Sequence, residues 1–130
     1  MSHHTLAFLL IFLGGGLGSM LRHTVNQASA ALFGINFAWG TLFVNIAGSL
    51  AMGLLAGWFA FRAEGGQLLQ LFLATGVLGG FTTFSAFSLE AVLLWERGQA
   101  AAAVLYTAGS VTVAIIGVLA GLFIIRTWLT

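Results

Sequence analysis

Apolar residues in this chain do not alternate with polar ones; they run together in four long stretches separated by short polar interruptions. The first starts near Leu6, passes through "LAFLLIFLGGGLGSML" to Arg22 and continues toward Ala31, where "FGIN" supplies a glycine turn. The second opens near Phe37 and stays uncharged through "FAWGTLFVNIAGSLAMGLLAGWFAF". The tract "RAEGGQ", with charges and paired glycines, is the clearest loop; a third run follows from Leu68 to Leu94, then the turn "WERGQ", then a fourth run from Ala101 to Ile125. Crossing a hydrocarbon core of about 30 Å takes roughly 20 helical residues, so each run predicts one membrane helix, with spans at about 6–31, 37–61, 68–94 and 101–125. Trp39, Trp58, Trp95 and Trp128 fall near the expected span ends, where an aromatic belt sits at the lipid headgroups. The expectation is an all-α membrane protein in which residues 1–130 form a single four-helix transmembrane domain.

Composition strengthens that reading and removes others. Hydrophobic residues make up 60% of the chain and charged ones 5%, with a mean hydropathy of +1.08; a soluble domain carries about 25% charged residues, so no water-facing surface can be built from this chain. The absence of cysteine excludes disulfides and thiolate metal sites, and three histidines, two of them at the N-terminus, are a poor ligand set. A net charge of +1 leaves no footprint for nucleic acid. The chain is not read as an enzyme.

Small residues recur four apart as Gly14/Gly18, Gly53/Gly57, Gly76/Gly80 and Gly117/Gly121, a spacing that lets helix backbones approach closely in lipid. A phosphate-cradling reading of "GGGLGS" fails for want of a preceding strand and a lysine. The arginines divide evenly: Arg62 and Arg126 on one side of the membrane, Arg97 and an outward-reaching Arg22 on the other. Lys/Arg asymmetry sets orientation, so a balanced chain can insert both ways and assemble as an antiparallel, dual-topology homodimer. A single-orientation monomer with weak signals is the alternative.

Polar side chains in hydrocarbon are costly unless they face partners or water, which makes each one a candidate for function. Asn45, in the middle of the second span, is either interhelical glue or a donor to an anion. Arg22 is either an interfacial arginine that snorkels or a fixed positive charge in a wet vestibule. Glu90 either pairs with an arginine near the interface or carries protons, as in small multidrug exporters. Tyr106 and Ser110, four apart, share a helix face and form either a wet hydroxyl ladder or ordinary interhelical contacts. In "GVLGGFTTFSAFSLE", adjacent glycines and paired threonines make a poor continuous helix, so the third helix is expected to break mid-membrane between Gly79 and Thr83. Freed carbonyls at such a break can coordinate a cation; on the two-fold axis of a dimer, oxygen-only ligation suits Na⁺. Phe84 and Phe87, three apart, are either core packing or ring edges that line an anion path.

The ordered set "GGGLGSMLR", "WGTLFVNIAG" and "GVLGGFTTFSAFSLE", followed by Tyr106 and Ser110, resembles the bacterial Fluc (CrcB) fluoride channels over essentially the whole chain. The resemblance implies a dual-topology homodimer in the bacterial inner membrane, with two antiparallel pores that passively export cytoplasmic fluoride and so relieve its toxicity. It assigns a structural, non-transported Na⁺ to the backbone carbonyls of Gly79 and Thr82, pore phenylalanines to Phe84 and Phe87, an anion-contacting asparagine to Asn45 and a vestibule arginine to Arg22. Thr83 joins the anion pathway, and a hydroxyl track begins at Tyr106 and Ser110. Where relatives continue that track, this chain has Ala114 and Val118, and the hydroxyl ladder is expected to stop there. The competing function is a dual-topology, proton-coupled exporter of drugs or small cations, which calls for an unpaired glutamate deep in a span; a membrane subunit that transports nothing is a third class.

Overall fold

The computed structural model describes residues 2–61 and 66–129. Four helices in it are long and apolar enough to cross a membrane: His3–Phe33, Trp39–Phe61, Gln67–Glu96 and Ala100–Leu129. We label them by their continuous segments as α1 (His3–Phe33), α2 (Trp39–Phe61), α3 (Gln67–Gln70), α4 (Gly79–Phe81), α5 (Phe84–Glu96) and α6 (Ala100–Leu129), with a π-helical stretch at Leu71–Leu78 joining α3 to α4.

The ends of these helices carry recognisable stop and start signals. Ser2 caps α1 by accepting the Thr5 N–H at 3.2 Å, which satisfies one of the amides that a helix start leaves without a partner. At its other end Gly34 takes φ 81°, and its N–H bonds to the Ala30 carbonyl at 2.9 Å, the left-handed exit that glycine permits. Gly98, at φ 75°, makes the same kind of exit from α5. There the Gly98 and Gln99 amides fold back onto the carbonyls of Trp95 and Leu94 at 2.9 and 3.0 Å, turning the chain directly into α6.

The helices close on each other through the glycine pairs. Gly14 and Gly18 of α1 face the backbone of Phe72, Gly76 and Val77, and Gly80 lies on the backbone of Gly15. On the other flank Gly53 of α2 faces the Val118 carbonyl and Gly121 of α6 faces the backbone of Leu50 and Leu54. A side chain at any of these contacts would push two backbones apart. In lipid that close approach is what holds helices together, because tails solvate leucine as well as another helix does. The large side chains point the other way: Phe8, Phe12, Leu105, Phe123 and Trp128 are among many exposed apolar residues, and among the described residues Val44 alone of the larger side chains is completely enclosed. Such a surface is stable only in hydrocarbon.

The sequence reading placed non-helical backbone from Gly79 to Thr83. Gly79 and Gly80 are helical, and the departure is confined to Thr82 (φ −83°, ψ 158°) and Thr83 (φ −153°, ψ 121°). Glycine lowers the cost of leaving the helix without forcing it. The preceding π-helical turns absorb part of the irregularity expected of the glycines. Arg62 lies outside the described residues, as do the other residues of 62–65.

Candidate functional site

The extended pair Thr82–Thr83 removes backbone partners, and specific side chains replace them. Asn45 of α2 holds Thr83 at two points: its Nδ2 donates to the Thr83 carbonyl at 2.9 Å, and its Oδ1 accepts the Thr83 N–H at 2.8 Å. This is the exchange an adjacent β-strand would make, supplied by one amide. The Thr83 hydroxyl caps α5 by accepting the Ala86 N–H at 3.2 Å. Thr82 turns its own hydroxyl back to the Leu78 carbonyl at 2.9 Å, and its methyl occupies the space that Gly48 leaves open. Because the Thr83 N–H goes to Asn45, the Gly79 carbonyl loses its ordinary helical partner. Arg22 reaches in from α1, with Nη1 donating to the Thr82 carbonyl at 3.1 Å, so its charge is turned toward the interruption rather than out to the headgroups.

A cavity of about 300 Å³ opens beside this interruption. Asn45, Thr82, Thr83, Phe84, Phe87 and Ser110 all contribute to its wall. Thus six residues singled out in the sequence, from three separate runs, come together at one place. Asn45 spends one amide hydrogen on Thr83 and keeps the other. The Ser110 hydroxyl is buried without a hydrogen-bond partner. An unpartnered buried hydroxyl on a cavity wall is a vacant donor. The rings of Phe84 and Phe87 stand 5.5 Å apart at 47°. Phe87 is only 7% exposed whereas Phe84 is 77% exposed, so the pair shares a helix face but not an environment.

Tyr106 is not part of the cavity wall. Its ring packs 5.4 Å from Phe87 and edge-on to Phe37 at 5.3 Å, one layer behind the cavity. Its hydroxyl proton is committed to Glu90 Oε2 at 2.7 Å. Glu90 also accepts the Thr41 hydroxyl on Oε1 at 2.9 Å. The sequence left Glu90 to an arginine or to proton carriage; among the described residues its carboxylate is instead held between two hydroxyls. Thr41 escaped the sequence reading, although it sits four residues before Asn45 on the same face of α2. Ser49, four residues after Asn45, also lines the cavity and was also missed. Ala114 and Val118 form an apolar end to the wall, where the hydroxyl ladder was expected to stop. No group of three or more metal-ligating side chains occurs among the described residues.

Residues 9–122 match the family described as "CrcB-like protein, Camphor Resistance (CrcB)". The chain belongs to the CrcB family. Its relatives include the "Fluoride-specific ion channel FluC" of Methylobacterium nodulans, 62% identical over 118 residues, covering 91% of this chain and 94% of the relative. The protein of the same name from Rhodopseudomonas palustris is 55% identical over 121 residues, covering 93% and 98%. The "Fluoride-specific ion channel FluC 2" of Nitrobacter hamburgensis is 53% identical over 119 residues, covering 92% and 96%. These relatives carry the names of channels, and this CrcB protein is not an enzyme. With four membrane-length helices it is a multi-pass protein of the bacterial inner membrane.

Proposed function

We propose that this CrcB protein is a passive, fluoride-selective channel that lets cytoplasmic fluoride leave the cell. The observation that carries the reading is the cavity at Thr82–Thr83, whose wall offers single donors rather than a charged binding site: the spare Asn45 amide hydrogen and the unpartnered Ser110 hydroxyl, with phenylalanine rings between. Fluoride is small and tightly hydrated, and it crosses only if modest donors replace its water in series; one strong site would trap it. Ring edges carry partial positive charge and add weak attraction. The names of the relatives point to the same anion. The physiological logic is that HF enters acid-exposed cells and ionises inside, and a channel releases the trapped anion down its gradient. A proton-coupled exporter would need an unpaired deep glutamate, and Glu90 is engaged on both oxygens.

In this reading the interruption at Thr82–Thr83 is a mid-membrane break, and two chains pair antiparallel around it. Phe84 is largely uncovered in one chain, and the space beside Gly79 is open, with only the Ala74 carbonyl within reach. A second copy would cover both. The carbonyls of Gly79 and Thr82 fit a structural Na⁺: they are hard oxygen donors, the first released by the Asn45–Thr83 bonding and the second retaining a lone pair beside Arg22. Two oxygens from one chain are too few for a hard cation, so the site requires the second copy. When bound, the ion would supply a fixed charge that draws the two breaks together. The reading is tested by reconstituting the purified protein in liposomes under a K⁺ gradient with valinomycin and a fluoride electrode; a channel releases fluoride on valinomycin addition, and the absence of efflux sinks the proposal.

A further inference from the structure

The line of contacts that begins in the cavity continues to the end of α5. Phe87 touches Tyr106, Tyr106 donates to Glu90, and Glu90 forms part of the wall of a second, smaller pocket of about 100 Å³. That pocket is closed by Ile35, Asn36 and Phe37 from the connection before α2 and by Leu94 and Arg97 of α5 and its cap. The 13-residue helix Phe84–Glu96 rises about 20 Å from the interruption, which puts this pocket where two interhelical connections meet and where exposed Trp95 marks the interface. Arg97 is exposed and forms no ion pair among the described residues.

Glu90 poses an electrostatic problem at this place. Two hydroxyls donate to its carboxylate, and negative charge at the end of an anion route depletes anions there. Arg97 is the one cation in the same pocket wall, and Asn36 beside it offers an amide. We propose that this pocket is the interfacial mouth of the route and that Arg97 recruits a small hydrated anion to it while offsetting the charge of Glu90. The proposal rests on the channel reading above. Arg22 then stands at the mid-membrane Thr82 carbonyl and Arg97 at the interface, about 20 Å away along α5.

The test compares wild type with Arg97→Gln, Arg97→Lys and Arg97→Glu at fixed fluoride. The salt of an impermeant organic anion is raised so that the Debye length falls from about 30 Å to about 3 Å. A unit charge about 6 Å from the anion in a water-like dielectric is worth about a threefold change in local concentration. Arg97→Gln should therefore lower flux about threefold and Arg97→Glu about tenfold at low salt. Arg97→Lys should stay near wild type, and all variants should converge at high salt. Equal flux of Arg97→Gln and wild type at low salt overturns the proposal. So does a loss that is the same at every ionic strength, which is the signature of misfolding or of a shifted insertion balance. If wild type itself passes no fluoride, the channel reading falls and takes this proposal with it.

Discussion

Asn45→Ala tests the claim that one amide stands in for helical backbone bonding. The wild-type side chain satisfies both the N–H and the carbonyl of Thr83. Removing it leaves two backbone groups without partners in a segment part-buried among helices, next to fully enclosed Val44. An orphaned buried polar group costs about 1–3 kcal/mol in a soluble protein. Interhelical hydrogen bonds in membranes average about 0.6 and reach about 1.7 kcal/mol, because chains unfolded in the membrane also find partners. Two such bonds give about 1–3 kcal/mol for Asn45→Ala. Asn45→Asp should be at least as damaging: it keeps an acceptor for the Thr83 N–H but sets an oxygen against the Thr83 carbonyl. Denaturation in detergent, followed by tryptophan fluorescence, measures the stability, and fluoride flux from liposomes measures the pathway. Asn45→Ala within about 0.5 kcal/mol of wild type, with unchanged flux, would refute the two-point hold and return Asn45 to incidental packing.

Replacing Phe84 or Phe87 with isoleucine should impair fluoride flux, but only Phe87→Ile should also destabilise the single chain, by about 1–2 kcal/mol, because Phe87 packs with Leu94, Ala103 and Tyr106 while Phe84 is exposed; unchanged flux in both variants would make them packing residues. Exchanging Na⁺ for a large organic cation should weaken dimerisation measured by single-molecule photobleaching or crosslinking, and indifference would argue against ligation by the Gly79 and Thr82 carbonyls. Lysines added at positions 62–66 should force one orientation and silence homodimers; chains that still conduct would contradict the antiparallel assembly.

Several features of the site were readable in advance because they follow from what hydrocarbon demands. Asn45, Arg22, Ser110 and Thr83 stood out as polar groups in apolar runs, and they converge on one cavity and its rim. Their bonding was not readable. Asn45 and Thr83 are separated by 38 positions, and Thr41 and Glu90 by 49. Periodicity says which residues share a helix face, not which face a neighbouring helix presents. For that reason the i+4 spacing of Tyr106 and Ser110 left a wet ladder and ordinary interhelical contacts both open, and it could not show that the tyrosine hydroxyl pairs with Glu90 while the serine has no partner.

The amino-acid sequence alone determined the class, the number of membrane helices and the family, because helix length and apolar content are set by the thickness of a bilayer and the motifs stand in a fixed order. It also marked the glycine pairs at which helices meet. Only the tertiary structure decided which pairs meet, that non-helical backbone is limited to Thr82 and Thr83, that Arg22 turns inward to a carbonyl, and that Glu90 sits between two hydroxyls and a pocket bearing Arg97. Those outcomes depend on how helices rotate and slide to pair most of their buried donors and acceptors, and that pairing is made in space between residues far apart along the chain.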